Sequence, residues 1–196
     1  MSSDIQSTFI SAVVASATAI STAAAVGNNA ALTLTASPYV TDAARKITIT
    51  CAGDDDAISF NIVGLDQLGN AATENLAGTD GGVSTSVGYW TSITSITAVG
   101  DPAGNVSAGT SNSVAAPIFG GRLRLQGLYA VNTGTAGTIT FRETSPTGRV
   151  RMQFATVGSA TSSEYPDIPD NGMLFVGGGY ITYSAANMAS ITVFFA

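Results

Sequence analysis

Histidine is absent from the 196-residue chain, which also has one cysteine, one lysine and one tryptophan. Without imidazole there is no Ser-His-Asp triad, no histidine general base and no histidine-containing zinc site. Cys51 alone forms neither an internal disulfide nor a four-cysteine metal cluster. Charge is scarce too: seven cations against thirteen acids leave a net charge of −6. So few cations exclude a chain whose main task is to coat phosphate backbones, and nucleic acid is not an expected partner. Small residues fill the space instead. Thirty Ala, 46 Ser plus Thr and 22 Gly make up half the sequence. Hydrophobic residues still reach 45%, but so many are alanine that the core must be thin and built on scattered Ile, Val, Leu and Phe. The length admits one sizeable domain or two small ones.

Residues 8–26 (TFISAVVASATAISTAAAV) have the length of a membrane span, but Ser and Thr interrupt them throughout and strong hydrophobes are few. Met1–Thr8 carries Asp4 and no Lys or Arg, which argues against a signal peptide. Residues 1–30 therefore read as an Ala-rich N-terminal arm, helical or extended, packing on another subunit or on its own domain.

From residue 31 onward the dominant period is two. Apolar side chains fall at Ile47, Ile49 and Cys51, and again at Ile58, Phe60 and Ile62, the alternation of half-buried strands. Gly53 and Asp54–Asp56 between them supply turn chemistry, which makes this pair a hairpin candidate. A weaker strand is expected around residues 72–77, a long β-rich run from Val83 to Val99 broken near Gly88-Tyr89-Trp90, and a short strand at 105–108. Residues 107–117 (SAGTSNSVAAP) have no charge and no aromatic residue and end in proline, which suits a linker. Beyond it Leu123, Leu125, Tyr129 and Val131 share one parity, and Val150, Met152 and Phe154 repeat the pattern after a turn at Ser145–Gly148. The chain closes with strands at 173–176, 179–183 and 191–195. About ten to twelve short strands and no convincing amphipathic helix after residue 30 predict an all-β chain. It divides into the arm at 1–30, a first β-sandwich or jelly-roll-like unit at 31–110 and a second at 111–196.

The charges are unevenly shared. Residues 1–110 hold two cations and nine acids, residues 111–196 five arginines and four acids. Arg122, Arg124, Arg149 and Arg151 take the polar parity of two strands and Arg142 ends a third, so a basic stripe forms wherever those strands are neighbours. Such a stripe is either a contact surface for an acidic partner, using the bidentate fork of arginine, or an ordinary solvated sheet face. Asp54-Asp55-Asp56 offers oxygen ligands to calcium but lacks EF-hand spacing, and a charged turn explains it; no metal or cofactor is expected. Glu164 and Asp167 are a nominal glycosidase carboxylate pair, since such pairs need only about 5 to 10 Å of separation, yet their segment reads more simply as a Pro-braced loop. Tyr89, Trp90 and Tyr165 suit either sugar stacking or anchoring of core and interface. Phe194 lies on the opposite face from Val193 and Phe195, so both faces of the last strand need cover, as neighbouring copies in a symmetric oligomer provide.

The run from Arg45 to Phe60 (RKITITCAGDDDAISF), continuing through GLDQLGNAATENLAG and YWTSITSITA, resembles a segment of structural proteins of tailed bacteriophages. The second half (GRLRLQGLYAVNTGTAGTITFRETSPTGRVRMQF, then IPDNGMLFVGGGYITY and ASITVFF) is similar to a module of phage virion proteins. The two stretches cover most of residues 40–196. The resemblance implies a virion component and brings no catalytic residue with it. The expectation is a non-enzymatic capsid decoration (cement) protein on the capsid exterior, a trimer bound to the major capsid protein, with the arm reaching across a subunit boundary. The interface residues would be Arg122, Arg124, Arg142, Arg149, Arg151, Phe194, Tyr89 and Trp90. The alternative is a tail or collar component, in which Tyr89, Trp90 and Tyr165 bind host-surface glycan.

Overall fold

The computed structural model describes residues 4–11, 13–158, 163–169 and 171–196, and every regular element in them is a β-strand. The all-β class expected from the period-two pattern is the class observed. The chain forms two compact units, residues 14–112 and residues 1–13 with 113–196. The first strand, β1 (Gln6–Ile10), belongs to the latter.

Within residues 14–112 lie β2 (Ser16–Ala25), β3 (Tyr39–Cys51), β4 (Ser59–Asp66), β5 (Ala71–Ala77), β6 (Val83–Thr85), β7 (Trp90–Val99) and the first part of β8 (Asn105–Phe119). Their order is β5-β4-β7-β3-β8, with β6 on β3 and β2 on β8. Alternation puts Ile47, Ile49 and Cys51 of β3 and Phe60 and Ile62 of β4 into one core. Trp90, Ile93 and Ile96 of β7, Val106 and Ala108 of β8, and Ile20 of β2 join them there. Close approach of backbones is enforced by glycine at two places. A Cβ on Gly64 would stand 2.1 Å from the Ser92 carbonyl oxygen, and one on Gly109 would stand 2.0 Å from that of Ser16. Any side chain there forces strands apart.

The predicted hairpin of β3 with β4 does not form, because β7 lies between them. After Cys51 the chain is tied elsewhere. The Cys51 amide donates to the Gly82 carbonyl, the Ala52 amide to Asn105, and Asp54 bridges to Asp80. The joint predicted at 107–117 does hold the boundary between the two units, at 112/113, but it is not a loose linker: these residues fall inside β8, the longest strand, 15 residues in length. Their lack of charge and bulk is what a strand buried among close neighbours needs. Pro117, which cannot donate to a ladder, sits where the register with the next-door strand shifts between Gly179 and Tyr180.

The second unit adds β9 (Leu123–Asn132), β10 (Gly137–Glu143), β11 (Val150–Thr156), β12 (Ser163–Glu164), β13 (Met173–Phe175), β14 (Gly179–Ser184) and β15 (Met188–Phe195). One sheet runs β1-β15-β9, with β12 and β13 both paired to β9; in the other, β11-β10-β14 continues onto the second part of β8. The turn at Ser145–Gly148 joins β10 to β11 as an antiparallel hairpin, as its residues predict. Leu123, Leu125, Ile191 and Val193 from one sheet and Ile139, Phe141 and Ile181 from the other are buried. Phe119 and Phe195 meet with ring centroids 5.9 Å apart. This is the inward-facing packing of a β-sandwich.

The described part of residues 1–30 is extended and packs on the chain's own units, one of the two arrangements expected of the arm. β1 is the edge strand next to β15, in register from Gln6 opposite Phe195 to Ile10 opposite Ile191. β2 pairs with β8 and buries Ile20 and Ser21. The segment is extended and part of the two units, so its removal would strip a strand from each.

Candidate interaction surface

The antiparallel register sorts the side chains of β1, β15 and β9 onto two faces, since directly opposed residues point the same way. Ile10, Ile191, Val193 and Phe195 go inward. Phe9 opposes Thr192, which opposes Tyr129; Ser7 opposes Phe194, which opposes Gly127. These make the outer face. Phe9 is 68% exposed and Phe194 37%. The Phe194 ring lies over bare Gly127, where an added Cβ would touch its Cδ2 at 3.4 Å. Tyr129 extends the aromatic row to Tyr165, whose ring lies 4.9 Å away and which is itself 72% exposed. The Tyr129 hydroxyl shares a hydrogen bond with that of Ser163 at 3.1 Å.

Sequence parity had put Tyr129 and Val131 on the inward face with Leu123 and Leu125. A bulge opposite Phe194 and Phe195 adds a residue between Leu125 and Gly127. Beyond it Leu128, Ala130 and Asn132 turn inward, and Tyr129 and Val131 turn out. Phe9 gives little sign of lying on a strand, because the three polar residues Gln6, Ser7 and Thr8 separate it from Ile5 and break any alternation.

The arginines do not form one stripe. Arg122 and Arg124 are exposed at the start of β9. Arg122 lines a hollow of about 210 Å³ with Asp4, Phe119 and Phe195. Arg124 donates to the Asn171 carbonyl at 2.9 Å. Arg142 and Arg151 stand in the other sheet: Arg142 donates to the Gly148 carbonyl at 3.0 Å, and Arg151 to that of Leu174 at 3.0 Å while pairing with Glu143 at 3.7 Å. Arg149 is exposed at the start of that hairpin's second strand.

Trp90 is a core residue, 2% exposed, which removes it from any contact surface. Tyr89 is half-buried, with the Lys46 ammonium 5.5 Å above its ring. Tyr89 and Tyr165 lie in different units, so the expected aromatic trio has no common platform inside either unit. The Asp54–Asp56 turn is divided too. Asp55 is buried and accepts from the Ala103 amide at 2.7 Å, whereas Asp54 and Asp56 are exposed. Among the described residues no three acidic or sulfur groups are placed to hold a metal ion. Asp167 is exposed, and the Glu164 side chain lies outside the described residues.

Burial pushes the Cys51 thiol above its ordinary 9.0, and neighbouring Asp55 pushes it further. Burial and then Asp42 likewise raise the Tyr39 phenol above 10.0. The folded chain thus keeps two protons that the unfolded chain releases more readily. Stability should be unaffected by these groups below about pH 9 and should fall as pH climbs through the folded values. Denaturant midpoints measured from about pH 7 to about pH 11 should show that decline, and Cys51→Ala should lessen it. The Cys51 thiol should react with a disulfide reagent only after unfolding.

The chain matches no protein-family model, no curated protein and no solved structure.

Proposed function

We propose that the chain is a non-enzymatic structural protein of a tailed-phage virion, a decoration protein that binds the outside of the capsid and bridges coat subunits. The observation that carries this reading is the outer face of β1-β15-β9. There Phe9, Phe194, Tyr129 and Tyr165 stand among Ser, Thr and Gly, with Arg124 at the rim. An uncharged aromatic centre with a polar rim is the anatomy of a protein-protein contact. It stands on a sheet, whose rigidity lowers the entropy lost on binding. Bridging is then a matter of multiplicity. Each contact is weak, but a copy held at one coat subunit meets the next at high effective concentration, which raises the cost of separating them.

A tail or collar component that binds glycan is the second reading, favoured by the pairing of half-buried Tyr129 with exposed Tyr165 beside the Ser163 hydroxyl, which offers both a stacking surface and a hydrogen-bonding group. Quantitative mass spectrometry of purified particles separates the two. A copy number comparable with that of the coat protein is expected. A handful of copies per particle would favour the tail reading, and absence from the particle would refute both.

A further inference from the structure

Sheet edges are templates for pairing with other chains, and folded proteins guard them with charge, proline, bulges, short length or a covering segment. Four edges here are guarded. Along β5, Glu74 accepts from the amides of Val87 and Gly88, and the Ser84 hydroxyl donates to the Ala77 carbonyl. On β2, Thr35 takes the Ile20 carbonyl with its amide and the Ala19 carbonyl with its hydroxyl. β11 carries Arg151 and faces a register shift at Phe141 and Arg142. β12 is two residues long.

β1 has none of these defences. Gln6–Ile10 contains no charge and no proline, and its register with β15 runs without a shift. Among the described residues no backbone bond reaches its open side. Phe9 and, just before the strand, Ile5 stand exposed. The unit that carries β1 holds five arginines and five acids, net zero, whereas residues 14–112 hold two cations and eight acids, net −6. Copies of the chain therefore meet without charge repulsion through the β1 unit, and against repulsion through the other.

We infer that β1 pairs antiparallel with β1 of a second copy across a two-fold axis, joining two β1-β15-β9 sheets into one. A strand paired with itself in this way matches donors to acceptors and brings Phe9 of each copy beside an uncharged, apolar face. The aromatic row of one copy then continues into that of the next. The inference goes beyond the proposed function, giving the oligomer expected from the sequence a two-fold contact in place of a three-fold one, and it is tested on the isolated chain, so its failure is distinct from absence from a particle.

Sedimentation of the full chain over a range of concentrations should show a monomer–dimer equilibrium. Phe9→Lys and, separately, Ile5→Lys should raise the dimer dissociation constant by roughly tenfold or more, with the thermal midpoint of the monomer unchanged because both side chains are exposed. Val87→Lys, an equally exposed apolar site on the other unit, should leave the dimer intact. A wild-type chain that stays monomeric, a trimer, or a dimer indifferent to both β1 variants would overturn the inference.

Discussion

Asp42→Ala should lower the unfolding free energy by about 3 kcal/mol, because it leaves a guanidinium buried without its carboxylate. Arg45 is 1% exposed. Its Nε and Nη2 donate to the two oxygens of Asp42 at 2.5 and 2.7 Å, and its Nη1 donates to the Ser111 carbonyl at 3.1 Å. The pair lies where β3 bulges: Val40 opposes Ser92 and Arg45 opposes Trp90, so four residues of β3 stand against Thr91 alone. The bulge turns Arg45 inward and sets Asp42 within reach at the surface. The two ends of the pair are therefore unequal. Arg45→Met removes the buried charge and leaves a carboxylate that water can solvate, so its loss should be smaller, about 1–2 kcal/mol. Urea denaturation of both variants checks the order; equal losses would mean that Asp42 is not what compensates Arg45.

Phe60→Ala should cost about 3–5 kcal/mol. The ring is fully buried in the core that also holds Ile62, Trp90 and Ile96. Phe9→Ala, at an exposed position of the same residue type, should change monomer stability by no more than about 0.5 kcal/mol. The contrast separates residues that hold a unit together from residues that face outward, and thermal or urea melts of the two variants measure it.

Much of this architecture is written in local alternation. Ile47-Ile49-Cys51, Phe60-Ile62, Ile139-Phe141 and Ile191-Val193-Phe195 each put their apolar parity inward, because one sheet face must be covered whatever the strand order. Strand order is another matter. Nothing between Cys51 and Ser59 reveals that β7 will insert between β3 and β4, since that depends on bonds from Cys51, Ala52 and Asp54 to residues far along the chain. Composition misled where it was read without burial. Ser107, Ala108, Gly109 and Thr110 look like a linker, but they are buried in β8, and smallness there serves close packing. The outer face was half legible: Phe194 declared itself by parity, whereas Tyr129 needed the bulge at Gln126 and Phe9 needed β15 as a partner. The arginines shared a parity in sequence but not a sheet in space.

A medium-resolution map of the assembled particle tests the central claim most directly. The account predicts two β units per copy on the outside of the shell, over junctions between coat subunits, with the Phe9–Phe194–Tyr129 face covered by a neighbouring chain. Density for the chain confined to the tail, or a copy on the shell whose aromatic face points into solvent, would contradict it.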